Sequence, residues 1–140
     1  MATDFASPLA MLVDDGTEGL SGRAIGLAIA VHRNYGPGLL EKAYVRLYAD
    51  ALRNAGHDVE CQPRLALMDG GRKVRNAYRP DIIVDRRLVI EVKAVIAILP
   101  VHKQQLTTYM RLTKIRVGLL INFNVPVLRH GIRRVLLTDE

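Results

Sequence analysis

Arg79-Pro80-Asp81-Ile82-Ile83-Val84-Asp85-Arg86-Arg87-Leu88-Val89-Ile90-Glu91-Val92-Lys93 is the stretch that decides how this chain folds. Two apolar runs, Ile82 to Val84 and Leu88 to Val95, flank Asp85-Arg86-Arg87 and read as adjacent antiparallel core strands joined by a short turn. Side chains alternate faces along a strand, so Glu91 and Lys93 project to one side while Ile90, Val92 and Ala94 project to the other. Burying ionised groups without partners is costly even after the structure relaxes. Two opposite charges on one face of an otherwise apolar run therefore need something that uses them. Asp81 opens the neighbouring strand, and a short hairpin brings its carboxylate beside Glu91. An exposed ion pair on an edge strand would leave the same Glu-x-Lys tripeptide, and the spacing alone leaves both readings open.

Working toward the N-terminus, the period changes. His57 to Met68 reads as a strand, Asp69-Gly70-Gly71 as a hairpin turn and Arg72 to Tyr78 as the returning strand. Before Gly56, Leu40, Ala43, Tyr44, Leu47 and Ala51 mark one face of a helix from Leu39 to about Ala55. Leu20, Ala24, Leu27, Ala28 and Val31 mark an earlier helix that ends near Tyr35 and Gly36, with Pro37 and Gly38 as breakers. Residues 1–17 mix Pro8, Asp14, Asp15 and Gly16 without a clean period and read as a flexible leader to a single domain over 18–140. Toward the C-terminus, Pro100 opens a helix through about Leu112. Ile115 to Phe123 and Ile132 to Leu137 read as further strands. Helices, then strands, then one helix and closing strands predict an α/β fold with helices flanking a mixed central sheet.

The 140 residues, 49% hydrophobic and 24% charged, are enough for one packed core. A single cysteine, Cys61, excludes an intramolecular disulfide and a Cys-rich zinc site. No run approaches the roughly 18 apolar residues of a membrane span, and Asp4, Asp14 and Asp15 stand where a secretory signal needs a basic start. A cytoplasmic protein without membrane contact is expected. The net charge of +6 is uneven: residues 1–60 hold 5 basic and 8 acidic side chains, whereas residues 61–140 hold 15 and 6. A basic half fits a polyanionic partner, phosphate backbones first.

Two carboxylates and a lysine at a strand end suit a magnesium site for phosphodiester hydrolysis. The hard cation takes oxygen ligands and lowers the pKa of a bound water, and a lysine offsets charge that develops on phosphorus. Glu41, at the border of the apolar face of its helix near Tyr44 and Tyr48, either reaches into such a site or is an ordinary helix-start acid favoured by the macrodipole. Gln105 and Tyr109 lie four apart on the helix after Pro100 and share a face, as a pair serving the site or as a solvated amide beside a core tyrosine.

Together, Gly38-x-x-Glu41-x-x-Tyr44, Pro80-Asp81, Glu91-Val92-Lys93, Gln105-x-x-x-Tyr109 and Gly118-Leu119-Leu120-Ile121-Asn122-Phe123-Asn124 resemble the GxxExxY proteins. That family is assigned to the PD-(D/E)XK nuclease superfamily, and the resemblance runs from about Glu18 to Leu137. It implies a restriction-endonuclease-like core with the active site at one edge of the sheet. It implies Mg2+, with Mn2+ as a substitute, held by Asp81, Glu91, the Val92 carbonyl and Glu41. Lys93 would serve the attacking water, with Gln105 and Tyr109 supporting site and substrate. His32 and His102 sit where the family often has histidine. The expected activity is that of a magnesium-dependent nuclease, with DNA as the expected substrate. The rival reading is a non-catalytic nucleic-acid-binding or adaptor module of the same fold. Arg72, Lys73, Arg75, Arg79, Arg86, Arg87, Lys103, Tyr109, Arg111 and Lys114 are the candidate nucleic-acid contacts. So short a chain leaves little room for a specificity domain, so a homodimer or a partner protein is expected to contribute.

Overall fold

A computed structural model describes residues 17–138. Two helices come first, α1 (Thr17–Tyr35) and α2 (Glu41–Asn54). Strands β1 (Val59–Cys61), β2 (Leu65–Asp69), β3 (Arg72–Tyr78), β4 (Ile82–Val84) and β5 (Leu88–Lys93) follow. Helix α3 (Pro100–Thr113) leads to β6 (Val117–Asn122), a 3-10 turn (Leu128–Gly131) and β7 (Ile132–Leu136). The leader expected over 1–17 lies outside the described residues except for Thr17, which opens α1. No described helix is long and apolar enough to cross a membrane.

The central sheet has the order β1-β4-β5-β6-β7. All neighbours are antiparallel except β5 and β6, which run parallel because α3 carries the chain back between them. The expected mixed sheet flanked by helices is therefore present. Even-numbered residues of β5, with Ile82, Val84, Leu119 and Ile121, pack under α1 and α2. Ile83, Val89 and Leu120 pack on the other face under Leu106 and Met110 of α3. Gly118 lets α3 come that close, since a Cβ there would stand 2.6 Å from Met110 Sδ and 3.0 Å from Leu106 Cδ1. At the far end of β6, a Cβ on Gly131 would run into the Asn122 carbonyl.

Two expected strands are shorter than the apolar pattern predicts. The run from His57 to Met68 divides into β1 and β2, because Gln62 turns left-handed at φ 50° and Pro63 has no N–H to donate. The Gln62 N–H makes the last rung in the β1–β4 register, donating to the Asp81 carbonyl at 2.7 Å. As a result β2 and β3 form a two-stranded sheet of their own. The run from Leu88 to Val95 ends its strand at Lys93. There the buried Asn122 side chain takes the Val95 N–H on Oδ1 at 3.1 Å and donates Nδ2 to the Val95 carbonyl at 2.9 Å. An amide from β6 thus replaces the next rung of the ladder and bends the chain toward α3.

Candidate active site

The register of β4 and β5 pairs Ile82 with Ile90, which sets Asp81 opposite Glu91 at the open end of the hairpin. The turn that fixes this register holds Asp85 and Arg86 at φ 52° and 54°, a left-handed conformation that side chains normally avoid. It is held from outside. Asp85 accepts the Asp58 N–H at 2.8 Å and meets His57 Nδ1 at 2.9 Å.

At the open end the Asp81 N–H donates to Glu91 Oε1 at 2.9 Å, and the Val92 N–H donates to Asp81 Oδ2 at 2.8 Å. Lys93 Nζ lies 3.6 Å from Glu91 Oε2. Asp81 and Glu91 are 8% and 3% exposed, so both carboxyls are held in a low-dielectric setting. β5 is flanked by β4 and β6, which rules out the exposed edge-strand pair. Burial and the neighbouring Asp81 charge push Glu91 up to about 8, against the hydrogen bond from Asp81 and the charge of Lys93. Asp81 is raised as well, by burial first and then by Glu41, with the Val92 hydrogen bond acting the other way.

Glu41 thus brings its charge to bear on Asp81 from the first turn of α2. The motif around it explains its placement. Gly38 sits at φ 110°, and the Tyr44 hydroxyl accepts the Leu39 N–H at 3.1 Å while donating to the Gly36 carbonyl. The Tyr44 ring is buried and stacked on Phe123 at 4.6 Å. Gly38 and Tyr44 therefore brace the loop from which Glu41 begins the helix.

From the opposite layer, Tyr109 stands half-buried close enough to feel both carboxylates. Burial, then Glu91 and Asp81, raise its hydroxyl above the usual phenol range. Gln105, one turn earlier, is exposed. Lys103 and Arg111 line a groove with Thr107 and the end of β7, on the flank of α3 away from Tyr109. Lys114 is the exposed, left-handed cap of that helix. Both histidines are otherwise engaged: His32 Nε2 meets the Val125 carbonyl at 2.7 Å, and His102 Nδ1 accepts the Leu99 N–H at 3.0 Å to cap α3.

One residue at the site escaped the sequence reading. The Gln62 side-chain amide acts on the Asp81 carboxyl and works against the rise in its pKa. Arg79 secures Gln62 in turn, donating Nε to its carbonyl at 3.2 Å and an NH2 nitrogen to its Oε1 at 3.4 Å. Gln62 also lines a groove of about 880 Å³ along α2, with Lys42, Arg46, Arg53 and Cys61. The signal in the sequence was Gln62-Pro63 interrupting a period of two.

Among the described residues, no three His, Cys, Asp or Glu side chains close into a metal cage. A paired Asp and Glu on the sheet nevertheless fits magnesium, which keeps several waters and is commonly bound through one or two carboxylates plus substrate phosphate.

No curated protein matches the chain. Among solved structures, the crystal structure of SSO0001 aligns with a TM-score of 0.48 and 19% identity over 81% of this chain and 63% of that one. The chain thus spans less than two thirds of that protein's length. The model of the PD-(D/E)XK nuclease superfamily matches residues 18–135, from α1 to the penultimate residue of β7. That match takes in both helical layers and every strand of the mixed sheet, and the chain belongs to the PD-(D/E)XK nuclease superfamily.

Proposed function

We propose that the protein is a magnesium-dependent nuclease that hydrolyses phosphodiester bonds in DNA. The observation that carries the reading is the buried Asp81–Glu91 pair with Lys93 on the same face of a central strand. Asp81, Glu91 and the Val92 carbonyl would hold Mg2+, or Mn2+ in its place, with Glu41 adding negative charge from α2. The ion, when bound, supplies Lewis-acid polarisation of the phosphate and lowers the pKa of a coordinated water. Two buried carboxyls whose pKa values are both raised, Glu91 in part by the Asp81 charge and Asp81 in part by Glu41, are poised for a cation that offsets their charge.

Lys93, mostly buried but not enclosed, directs its ammonium toward Glu91 and the mouth of the site. There it orients the attacking water and offsets negative charge on the phosphate oxygens as the P–O bond breaks. Gln62 and Arg79 keep the Asp81 carboxylate aimed, and Tyr109 closes the α3 side. Arg79, Lys103, Arg111 and Lys114 contribute sequence-independent contacts to phosphates.

Supercoiled, single-stranded and branched DNA incubated with Mg2+ or Mn2+ test the reading. The wild-type chain should cut, whereas Asp81→Asn and Lys93→Ala should not. Equal cleavage by all three would overturn the assignment.

A further inference from the structure

The β2–β3 ribbon stands outside the core. It forms its own two-stranded sheet, and such a ribbon is at best marginally stable alone in water. Every residue from Arg72 to Asn76 is exposed, and so is Met68 at 62%. Only the root is packed: Leu65 pairs with Tyr78, and the Tyr78 ring meets Tyr109 edge-on at 6.1 Å.

Its charge is as one-sided as its exposure. Residues 62–79 carry five basic side chains, Arg64, Arg72, Lys73, Arg75 and Arg79, against Asp69 alone, a net of +4. Among the described residues, Arg72, Lys73 and Arg75 take part in no ion pair. β3 also runs directly into the site, with only Arg79 and Pro80 between Tyr78 and Asp81.

We infer that this ribbon is a DNA-binding arm that enters the major groove of a duplex and presents its backbone to the Asp81–Glu91 site. The inference narrows the substrate of that site to duplex DNA gripped through its major groove, and it rests on the nuclease reading above. Shape favours it, since the B-DNA major groove, about 12 Å wide and 8.5 Å deep, admits a two-stranded ribbon. Seven residues of strand at about 3.3 Å each give β3 a length of roughly 20 Å. The deep, narrow major groove of duplex RNA does not admit side chains in this way. Edge-to-edge pairing with the ribbon of a second copy is less suitable, because it would set one +4 ribbon against another.

The test is fluorescence anisotropy of the full chain, with chelator present, on a short DNA duplex and an RNA duplex of the same sequence across a salt series. The wild type should prefer the DNA duplex by about tenfold or more. The triple variant Arg72→Ala, Lys73→Ala, Arg75→Ala should lose that preference and lower the salt slope by about 2 to 3, at roughly 0.9 for each phosphate no longer neutralised. Arg33→Ala with Arg129→Ala, two exposed arginines remote from the ribbon in sequence, should leave the preference intact. Equal affinity of the wild type for both duplexes, or an unchanged slope in the triple variant, would overturn the inference. Because binding is read without metal, a chain that binds in this way and cuts nothing defeats the nuclease reading and leaves the arm standing. A chain that cuts DNA but whose triple variant binds unchanged does the reverse.

Discussion

Asp81 and Glu91 clasp each other across the mouth of a hairpin: the Asp81 N–H is held by Glu91 Oε1 at 2.9 Å, and the Val92 N–H by Asp81 Oδ2 at 2.8 Å. Each carboxyl spends one oxygen on the opposing backbone, so neither can rotate without breaking a buried hydrogen bond. That fixes the direction of the other oxygen of each, and Lys93 balances part of the charge.

Lys93→Ala is expected to lower cleavage by roughly a hundredfold or more, on the scale of losing a group that stabilises transition-state charge. Metal binding should persist and tighten, because a cation 3.6 Å from Glu91 is removed. Calorimetry with Mn2+ and a plasmid assay check this together. Loss of metal binding with cleavage intact would contradict it.

Gln62→Ala should weaken Mn2+ binding about 10- to 100-fold, the usual cost of removing a group that orients a ligand. Gln62→Gly removes the same amide but suits the φ of 50°, so it should melt higher than the alanine variant while binding metal no better. Titration and thermal melting of the pair separate the aiming of Asp81 from backbone strain. Wild-type affinity in either variant would refute the role.

Asn122→Ala takes from the Val95 N–H its acceptor and from the Val95 carbonyl its closer donor, leaving only Asn124 Nδ2 at 3.4 Å, at a position where Asn122 is 2% exposed. A cost of about 1–3 kcal/mol is expected in urea unfolding, the range for orphaned buried polar groups. A change below about 0.5 kcal/mol would mean that the 94–99 loop is held by something else.

Asp85 gives the protein an acid-dependent component of stability. Its slight burial would raise its pKa, but the hydrogen bonds from His57 and the Asp58 N–H prevail and hold it below the usual carboxylate range. A depressed folded-state pKa stabilises above the unfolded value near 4, and that contribution is lost as pH falls through the folded value. Asp85→Asn keeps an acceptor for the Asp58 N–H and tolerates the left-handed turn, so it removes mainly the charge. The variant should be less stable than wild type at pH 7, and the gap should narrow as pH falls toward 3. A gap in urea midpoint that stays constant over that range would rule this out.

Much of this was legible in the chain because its signals are local. Alternation placed Glu91 and Lys93 on one face of β5, and a short turn placed Asp81 beside them, since hairpin register follows from neighbouring residues. What resisted reading depends on contacts between distant segments. Gln62 joins the site because the pairing of β1 with β4 sets it opposite Asp81, 19 positions along the chain, and the local sequence does not say which strand β1 will pair with. The end of β5 was missed for the same reason, because it is set by an asparagine on β6, 27 residues beyond Val95. Glu41 stayed open because a helix-start acid and a site acid occupy the same position; it opens α2, and its charge acts on Asp81.

The turn at Asp85 and Arg86 governs more than its own hairpin. Asp81, Glu91 and Lys93 fall within thirteen consecutive residues, and this one loop sets their alignment. Insertion of a single residue there would rotate the second strand by one side chain, driving Glu91 and Lys93 into the apolar layer beneath α1 and α2 and turning Ile90 and Val92 out toward α3. The length of that loop is therefore tied to the alignment of the site, whereas the ribbon tip at Gly70 and Gly71 lies outside the β4–β5 register.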